Sequence, residues 1–333
     1  MKTAIPSIAA LNLICVIQAA AQLQSPPQIV YEGDIVFPSE ILISTIDQIV
    51  QVSNGNLYIV DRLGQAVHYV SLSGNLIHTL SLKNCDPGRN FTPYWLSSDG
   101  EMTFVLNGGP AGYLFDSSGK CLGRVSDQYY PLRLQISSGS GIMGLTNTTD
   151  PTKPLGIIKA TIKGETTDIT HLPFGEYPAA NRRIATGGLV ATKWATYFSP
   201  PADPVIYRID LEGRVSEIKV DNLFNYKRPT GDMHAGGPGP ELFASFKHFR
   251  NATTNMGIFD SGVGLLVAQY FTRPGRWDRL WFDGEMGAVS WAESDTLGFT
   301  YMSDGMAFRV RQPDVREDGT IPNPYLEKYI IRP

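Results

Sequence analysis

The residues able to do chemistry in this chain are unevenly spread. Histidines stand at positions 68, 78, 171, 234 and 248, and a catalytic zinc needs three protein ligands with one position left open. Aromatic and cationic side chains are denser: "YFTRPGRWDRLWFD" brings Tyr270, Phe271, Arg273, Arg276 and Trp277 into one short stretch. Indole faces beside guanidinium forks suit a carbohydrate, a peptide or an anionic small molecule. Serines are scattered through turns, and the sequence holds no G-x-S-x-G nucleophile elbow.

Short strands must position these groups. Residues 47–80 contain "DQIVQV", "NLYIVD", "AVHYVSL" and "NLIHTL", with Gly-bearing breaks between them. Period-two alternation with such breaks signals hairpins. The order recurs as "YWLSS", "MTFVLN", "GYLFD", "CLGRVS", then as "LRLQISS", "GIMGLTN", "LGIIKATI", "TTDITHL". A fourth copy reads "RRIATGG", "LVATKWATYF", "VIYRIDL", "VSEIKV", and a fifth "MGIFDS", "LLVAQYF", "WDRLWFD", "GAVSWAE". The sixth, "TLGFTYMS", "MAFRVRQ", "YLEKYII", stops one strand short.

Copies of about 40–50 residues have the period of blade-forming repeats. "QIVYEGDIVF" near the start has no partner of its own, and adding it to the sixth copy removes an exposed sheet edge. The sequence therefore predicts an all-β, six-bladed β-propeller, with an N-terminal strand completing the last blade. The alternative, two β-sandwiches, leaves both loose ends unmatched.

"GNLYIVDRLGQAVHYVSLSGNLI" resembles NHL-type repeats, and "GGPGPELF" is similar to a segment that often precedes a blade in that group. "NPYLEKYIIRP" looks like the ending of secreted six-bladed propellers of Bacteroidota. The resemblance implies a propeller, an exported location and a bacterial host, and it carries over no catalytic residue. Copies three to five depart from the pattern, with longer loops and no Asp closing their second strand.

Hydrophobic residues make up 42% and charged residues 18%, with a formal net charge of −4. An acidic chain without a Lys/Arg tract is a poor nucleic-acid binder. Residues 1–21 have the layout of a signal peptide cleaved after Ala21, leaving one propeller over 22–333 in the periplasm or outside the cell. No later segment is apolar enough to span a bilayer. The chain is read as a monomer.

In a propeller the innermost strand of each blade lines a central channel. We call the strands a to d from the axis outward; the d-to-a and b-to-c loops then share one face. Residues entering strands a are Asp47, Tyr94, Trp95, Arg133, Arg182, Arg183 and Asp295. Each could equally cap a strand or pair with a neighbouring blade. Of the histidines, only His234 and His248 fall where they could reach the channel, one ligand short of a zinc site. Asp47 and Asp295 could serve calcium, but the arginines between them oppose a cation. No metal or cofactor is predicted.

Residues 221–255 form a long d-to-a insertion with Phe224, Tyr226, Lys227, Arg228 and His234, and a helix expected from Pro240 to residue 250. The predicted ligand-binding set is Asp47, Tyr94, Trp95, Arg133, Arg183, His234, Arg273, Arg276 and Trp277. The last arginines bind a carboxylate or hold the insertion through Asp232 or Glu241. Trp281 is expected to pack between blades, and the Asp61–Arg62 pair to shape a b-to-c turn. The function predicted is an exported ligand-binding or interaction propeller; the alternative is a hydrolase or lyase acting on a sugar or peptide at the channel mouth. Whether it is an enzyme stays open.

Cys85 and Cys121 remain after the leader is removed. The repeat places them at opposite faces, about 20 Å apart by strand rise. A disulfide spans at most about 7 Å between Cα atoms, so two free thiols are expected.

Overall fold

The computed structural model describes residues 25–333 apart from 109–111, 126–133, 138–140, 146–153, 162–165, 174, 184–185, 221–223, 235–238 and 273–274; the side chains at 134–137, 141–142, 166 and 183 are also outside the described set. The expected leader, Arg133 and Arg273 therefore lie outside the described residues.

The strand β1 (Gln28–Ile35) leads into five consecutive meanders. Blade 1 comprises β2 (Gln48–Gln51), β3 (Leu57–Asp61), β4 (Ala66–Val70) and β5 (Leu76–Thr79). Blade 2 follows as β6 (Pro93–Ser98), β7 (Met102–Asn107), β8 (Gly112–Asp116) and β9 (Cys121–Val125), and blade 3 as β10 (Leu134–Ser137), β11 (Gly141–Leu145), β12 (Gly156–Thr161) and β13 (Thr166–His171). Blade 4 holds β14 (Gly188–Ala191), β15 (Ala195–Ser199), β16 (Val205–Asp210) and β17 (Val215–Lys219). Blade 5 holds β18 (Thr254–Asp260), β19 (Leu265–Thr272), β20 (Arg276–Asp283) and β21 (Val289–Asp295).

The last sheet is β22 (Tyr301–Ser303), β23 (Met306–Arg311), β24 (Tyr325–Arg332) and then β1, so the N-terminal strand is the outer strand of blade 6. It pairs antiparallel from Gln28↔Arg332 to Ile35↔Leu326, with a bulge between Tyr31 and Gly33. Gly33 has φ +153°, which suits a residue without Cβ. The six-bladed ring predicted from the repeat is the fold observed, with its closure in the expected place.

Each blade is covered on both faces by its neighbours, which explains why inner strands such as "LYIVD" are buried along their whole length. Val60, Val67 and Tyr69 of blade 1 pack with Leu96, Val105, Tyr113 and Phe115 of blade 2. At the closing seam Ile35 and Phe37 pack with Ile49, Leu57 and Phe308. Each large apolar side chain so buried contributes about 1.5–3 kcal/mol. Trp281, fully buried, packs between blades 5 and 6 as expected and donates its indole N–H to Glu293 at 2.9 Å.

Two corrections concern placement. "RRIATGG" is not the inner strand of blade 4: residues Pro178–Arg183 form a helix, α1, and the inner strand is the shorter Gly188–Ala191. Likewise Cys85 and Cys121 are not free thiols but form a disulfide, with Cα atoms 5.9 Å apart. Strand rise would separate the two cysteines in a flat blade, but strands twist by roughly 20–25° from one to the next.

The twist swings the outer strand of one blade against the c-to-d turn of the following blade. A Cβ on Gly119 in that turn of blade 2 would lie 2.6 Å from His78 Cδ2 of β5. The same relation recurs between Val36 and Gly74 across the closing seam, and between Ile218 of β17 and Gly287 of blade 5. Cys85, just beyond β5, therefore reaches Cys121 at the start of β9.

Candidate functional site

The axis of the ring is a channel of about 680 Å³. Its described lining includes Asp47, Gln48 and Gln51 from blade 1, Trp95 and Ser97 from blade 2, Thr186 and Leu189 at blade 4, Met256 and Ile258 from blade 5, Trp277, and Tyr301 and Arg309 from blade 6. Of the predicted set, the channel brings together Asp47, Trp95 and Trp277. Trp95 comes from the innermost strand of blade 2, whereas Trp277 starts β20, third from the axis in blade 5, and reaches the lining over Gly298 at the entry to blade 6.

Asp47 is held locally. It accepts from Thr45 Oγ1 at 2.6 Å and from the Arg62 backbone N–H at 3.0 Å, and it pairs with the Arg62 guanidinium at 3.6 Å. That guanidinium lies 5.9 Å from the Tyr94 ring centroid, joining blade 1 to the entry of blade 2. Trp95 packs on the core formed by Phe104, Leu106 and Val125 while lining the channel. Trp277 lies against Phe271, with centroids 4.9 Å apart. Its ring also covers Gly298 so closely that a Cβ there would meet Cε2 at 2.1 Å, so glycine is required at that position.

The other predicted residues lie elsewhere. His234 pairs with Glu241 at 3.2 Å on the insertion, and His248 bonds Thr230 Oγ1 at 2.9 Å. Arg183 falls on α1. Asp295 closes β21 and accepts from Arg279, a buried guanidinium that also donates to Glu293 and the Leu297 carbonyl. Arg276 holds neither Asp232 nor Glu241: it donates to Asp278 at 3.0 Å and to Ser294 at 2.5 Å. Asp278, 1% exposed, also accepts from Thr272, which bonds Thr253, which accepts from the Lys227 N–H. Arg276 thus reaches the insertion through a relay of hydroxyls rather than through an acid on it.

The described parts of the insertion, residues 224–234 and 239–255, are clamped to the ring. The expected helix over 240–250 is α2 (Pro240–Ser245) continued by a 3₁₀ turn, Phe246–Phe249. Tyr226, largely buried, donates to the Ala202 carbonyl at 2.8 Å and packs with Phe224 and Tyr270. Asp232 accepts from the N–H groups of Ala179 and Ala180, each at 2.9 Å, satisfying free donors in the first turn of α1. Met233 packs with Ala179, Ala180 and Ala202 beneath Leu242 and Phe249. Arg228 pairs with Glu176.

Two aspartates organise the connections on this face. Asp61, fully buried, accepts from the Ser44 N–H at 2.6 Å, the Thr45 N–H at 3.1 Å and the Gly64 N–H at 2.8 Å. It therefore shapes the b-to-c turn, as the sequence suggested, and also grips the segment entering the blade. Asp203, in the b-to-c loop of blade 4, accepts from the Tyr177 N–H at 3.0 Å and Asn181 Nδ2 at 2.8 Å. Burial pushes its carboxyl up to about 6, against the two hydrogen bonds that favour the charged form. Sequence reading missed Asp203 because it interrupts "SPPADP" rather than ending a strand.

Paired glutamines lock adjacent blades. Gln48 donates to the Leu96 carbonyl at 2.9 Å and accepts from its N–H at 2.8 Å. Gln269 does the same to Phe299, at 2.7 and 2.9 Å. Among the described residues, no group of three or more His, Cys, Asp or Glu is placed to hold a metal ion, and no helix is long and apolar enough to cross a membrane.

Fold and site together define a six-bladed β-propeller with an aromatic-lined axial channel. No protein-family model and no curated protein matches the sequence. Among solved structures, the chain is similar to a DUF4221 family member from Bacteroides vulgatus, with TM-score 0.62 at 11% identity over 93% of this chain and 99% of that one. A candidate exported protein from Bacteroides fragilis gives TM-score 0.58 at 10% identity, covering 92% and 96% of the two chains. At such identities the likeness is one of fold. A virginiamycin B lyase from Staphylococcus aureus, with TM-score 0.46 at 14% identity over 86% and 80%, is too distant to bear on activity.

Proposed function

We propose that the protein is an exported binding propeller whose ligand enters the axial channel from the face carrying residues 221–255. The observation that carries this reading is the pairing of Trp95 and Trp277 along a channel of about 680 Å³, a size typical of small-ligand sites. The Cys85–Cys121 disulfide supports an oxidising compartment. The signal-peptide layout, the NHL-like reading of blade 1 and the exported neighbour point the same way. Carbohydrate, peptide and anionic small molecule are the ligand classes carried forward from the sequence.

The hydrolase or lyase alternative has less behind it. Asp203, whose carboxyl is raised to about 6, is buried against Tyr177 and Asn181 and is not among the channel-lining residues. The test is a carbohydrate and peptide array probed with residues 22–333 and with Trp277→Ala. Binding lost in the variant, with its melting temperature retained, is the expected result. Binding untouched by the substitution would sink the reading.

A further inference from the structure

We infer that the channel ligand is a neutral, hydroxyl-rich ring, a mono- or disaccharide, rather than an anion or an extended peptide. This rests on the channel reading above and narrows it. The described charges along the channel are already committed. Asp47 is paired with Arg62, and Arg309 with Glu327 at 3.6 Å, an acid that also takes Arg311 at 2.8 Å. Asp260 accepts from the Gly262 N–H at 3.0 Å. Arg276, one of the two fifth-blade arginines read as able to bind a carboxylate, is bound to Asp278 and Ser294. An anion would have to break one of these pairs, leaving a charge uncompensated.

A peptide would be read through its main chain, by adding a strand to a free sheet edge. The inner edges are blocked near the mouth. Gln48 occupies both the N–H and the carbonyl of Leu96, Gln269 both those of Phe299, and the Asn255 carbonyl takes the Gly187 N–H.

Among the described lining residues, the buried side-chain atoms left without a partner are uncharged. Gln51, 6% exposed, has no partner for its amide oxygen, and the Thr186 hydroxyl has none. Both residues line the channel, Thr186 just before β14 at the face carrying the insertion and Gln51 at the far end of β2. Indole faces at Trp95 and Trp277 and neutral hydrogen-bonding groups in the same lining suit a sugar, which offers C–H faces and hydroxyls. A buried polar group without a partner costs about 1–3 kcal/mol, which a ligand hydroxyl would recover.

The experiment is calorimetric titration with glucose, galactose, mannose, N-acetylglucosamine, maltose and cellobiose, alongside glucuronate, glucose 6-phosphate and tri-alanine. At least one neutral sugar is expected to bind, with the charged analogue of glucose weaker by about tenfold or more. Thr186→Val and Gln51→Met, which keep side-chain size, should each lower affinity about five- to tenfold with the melting temperature unchanged. Glucuronate or phosphate binding as tightly as the neutral parent overturns the inference, as does silence from every neutral sugar at about 10 mM. If tri-alanine or an anion binds in their place and Trp277→Ala abolishes it, the inference fails while the channel reading stands. If sugar binding occurs and neither Trp95→Ala nor Trp277→Ala weakens it, both fail.

Discussion

Blade 1 and blade 4 each bury an aspartate at the b-to-c connection, and each aspartate grips the segment that leads into its blade. They differ in how the carboxylate is satisfied. Asp61 is met by three backbone N–H groups and the Thr45 hydroxyl, from its own b-to-c turn and from the segment entering the blade. Asp203 receives one backbone N–H and one side-chain amide, across a longer connection that needs α1 to deliver them. A burial well supplied with donors yields a fixed corner; one supplied sparsely yields a corner sensitive to protons.

The largest effect expected from breaking this contrast is at Asp61. Asp61→Ala strands several buried donors and should cost about 4 kcal/mol or prevent folding, read by urea unfolding. Reducing the disulfide attacks blade 1 from its outer side. With a 36-residue separation, Cys85→Ala with Cys121→Ala should lose about 3–4 kcal/mol. Mass analysis after alkylation without reduction should find neither thiol labelled.

For Asp203 the sign follows from a carboxyl raised above its ordinary value of 3.8 to about 6 in the folded protein. The folded state holds the proton more tightly, so this group's contribution is complete below about pH 4 and is lost as pH rises through about 6, by about 3 kcal/mol in all. Asp203→Asn should flatten that stretch of the stability–pH curve. A wild-type curve with no fall between pH 4 and 7 would contradict the assignment. Smallest is Tyr226→Phe, which removes the bond to the Ala202 carbonyl and should cost about 1 kcal/mol by thermal melting.

Blade 1 was legible because each of its turns is local: "SNGN", "RLGQ" and "SGN" fix the hairpins within the strands they join. Blade 6 was legible from two unmatched ends. The inner strand of blade 4 was misread because apolar residues on either side of Gly187–Gly188 look alike, and only contact with Asp203 and Asp232 makes 178–183 helical. The cysteine pairing was invisible to strand counting, since it depends on blade twist.

In the channel lining, Asp47 and Trp95 were legible from their place at the entry to inner strands, and Trp277 from the density of aromatic and cationic residues around it. Gln51 and Thr186 were missed, because an unmatched buried oxygen has no signature in a sequence. Arg276 was found for its type and assigned a partner it does not have, since Asp278 stands only two residues away on the same strand.

The pairing of β1 with β24 has a temporal side. The first strand to leave a ribosome or a translocation pore must wait for the last before it gains its backbone partners. During that wait the edges of β1 and β23 stay open, and exposed edges recruit other chains. The seam can close only once β24 is available to β1. Keeping β1 apart until then protects the chain from that pairing, a demand on folding that no contact inside the finished ring records.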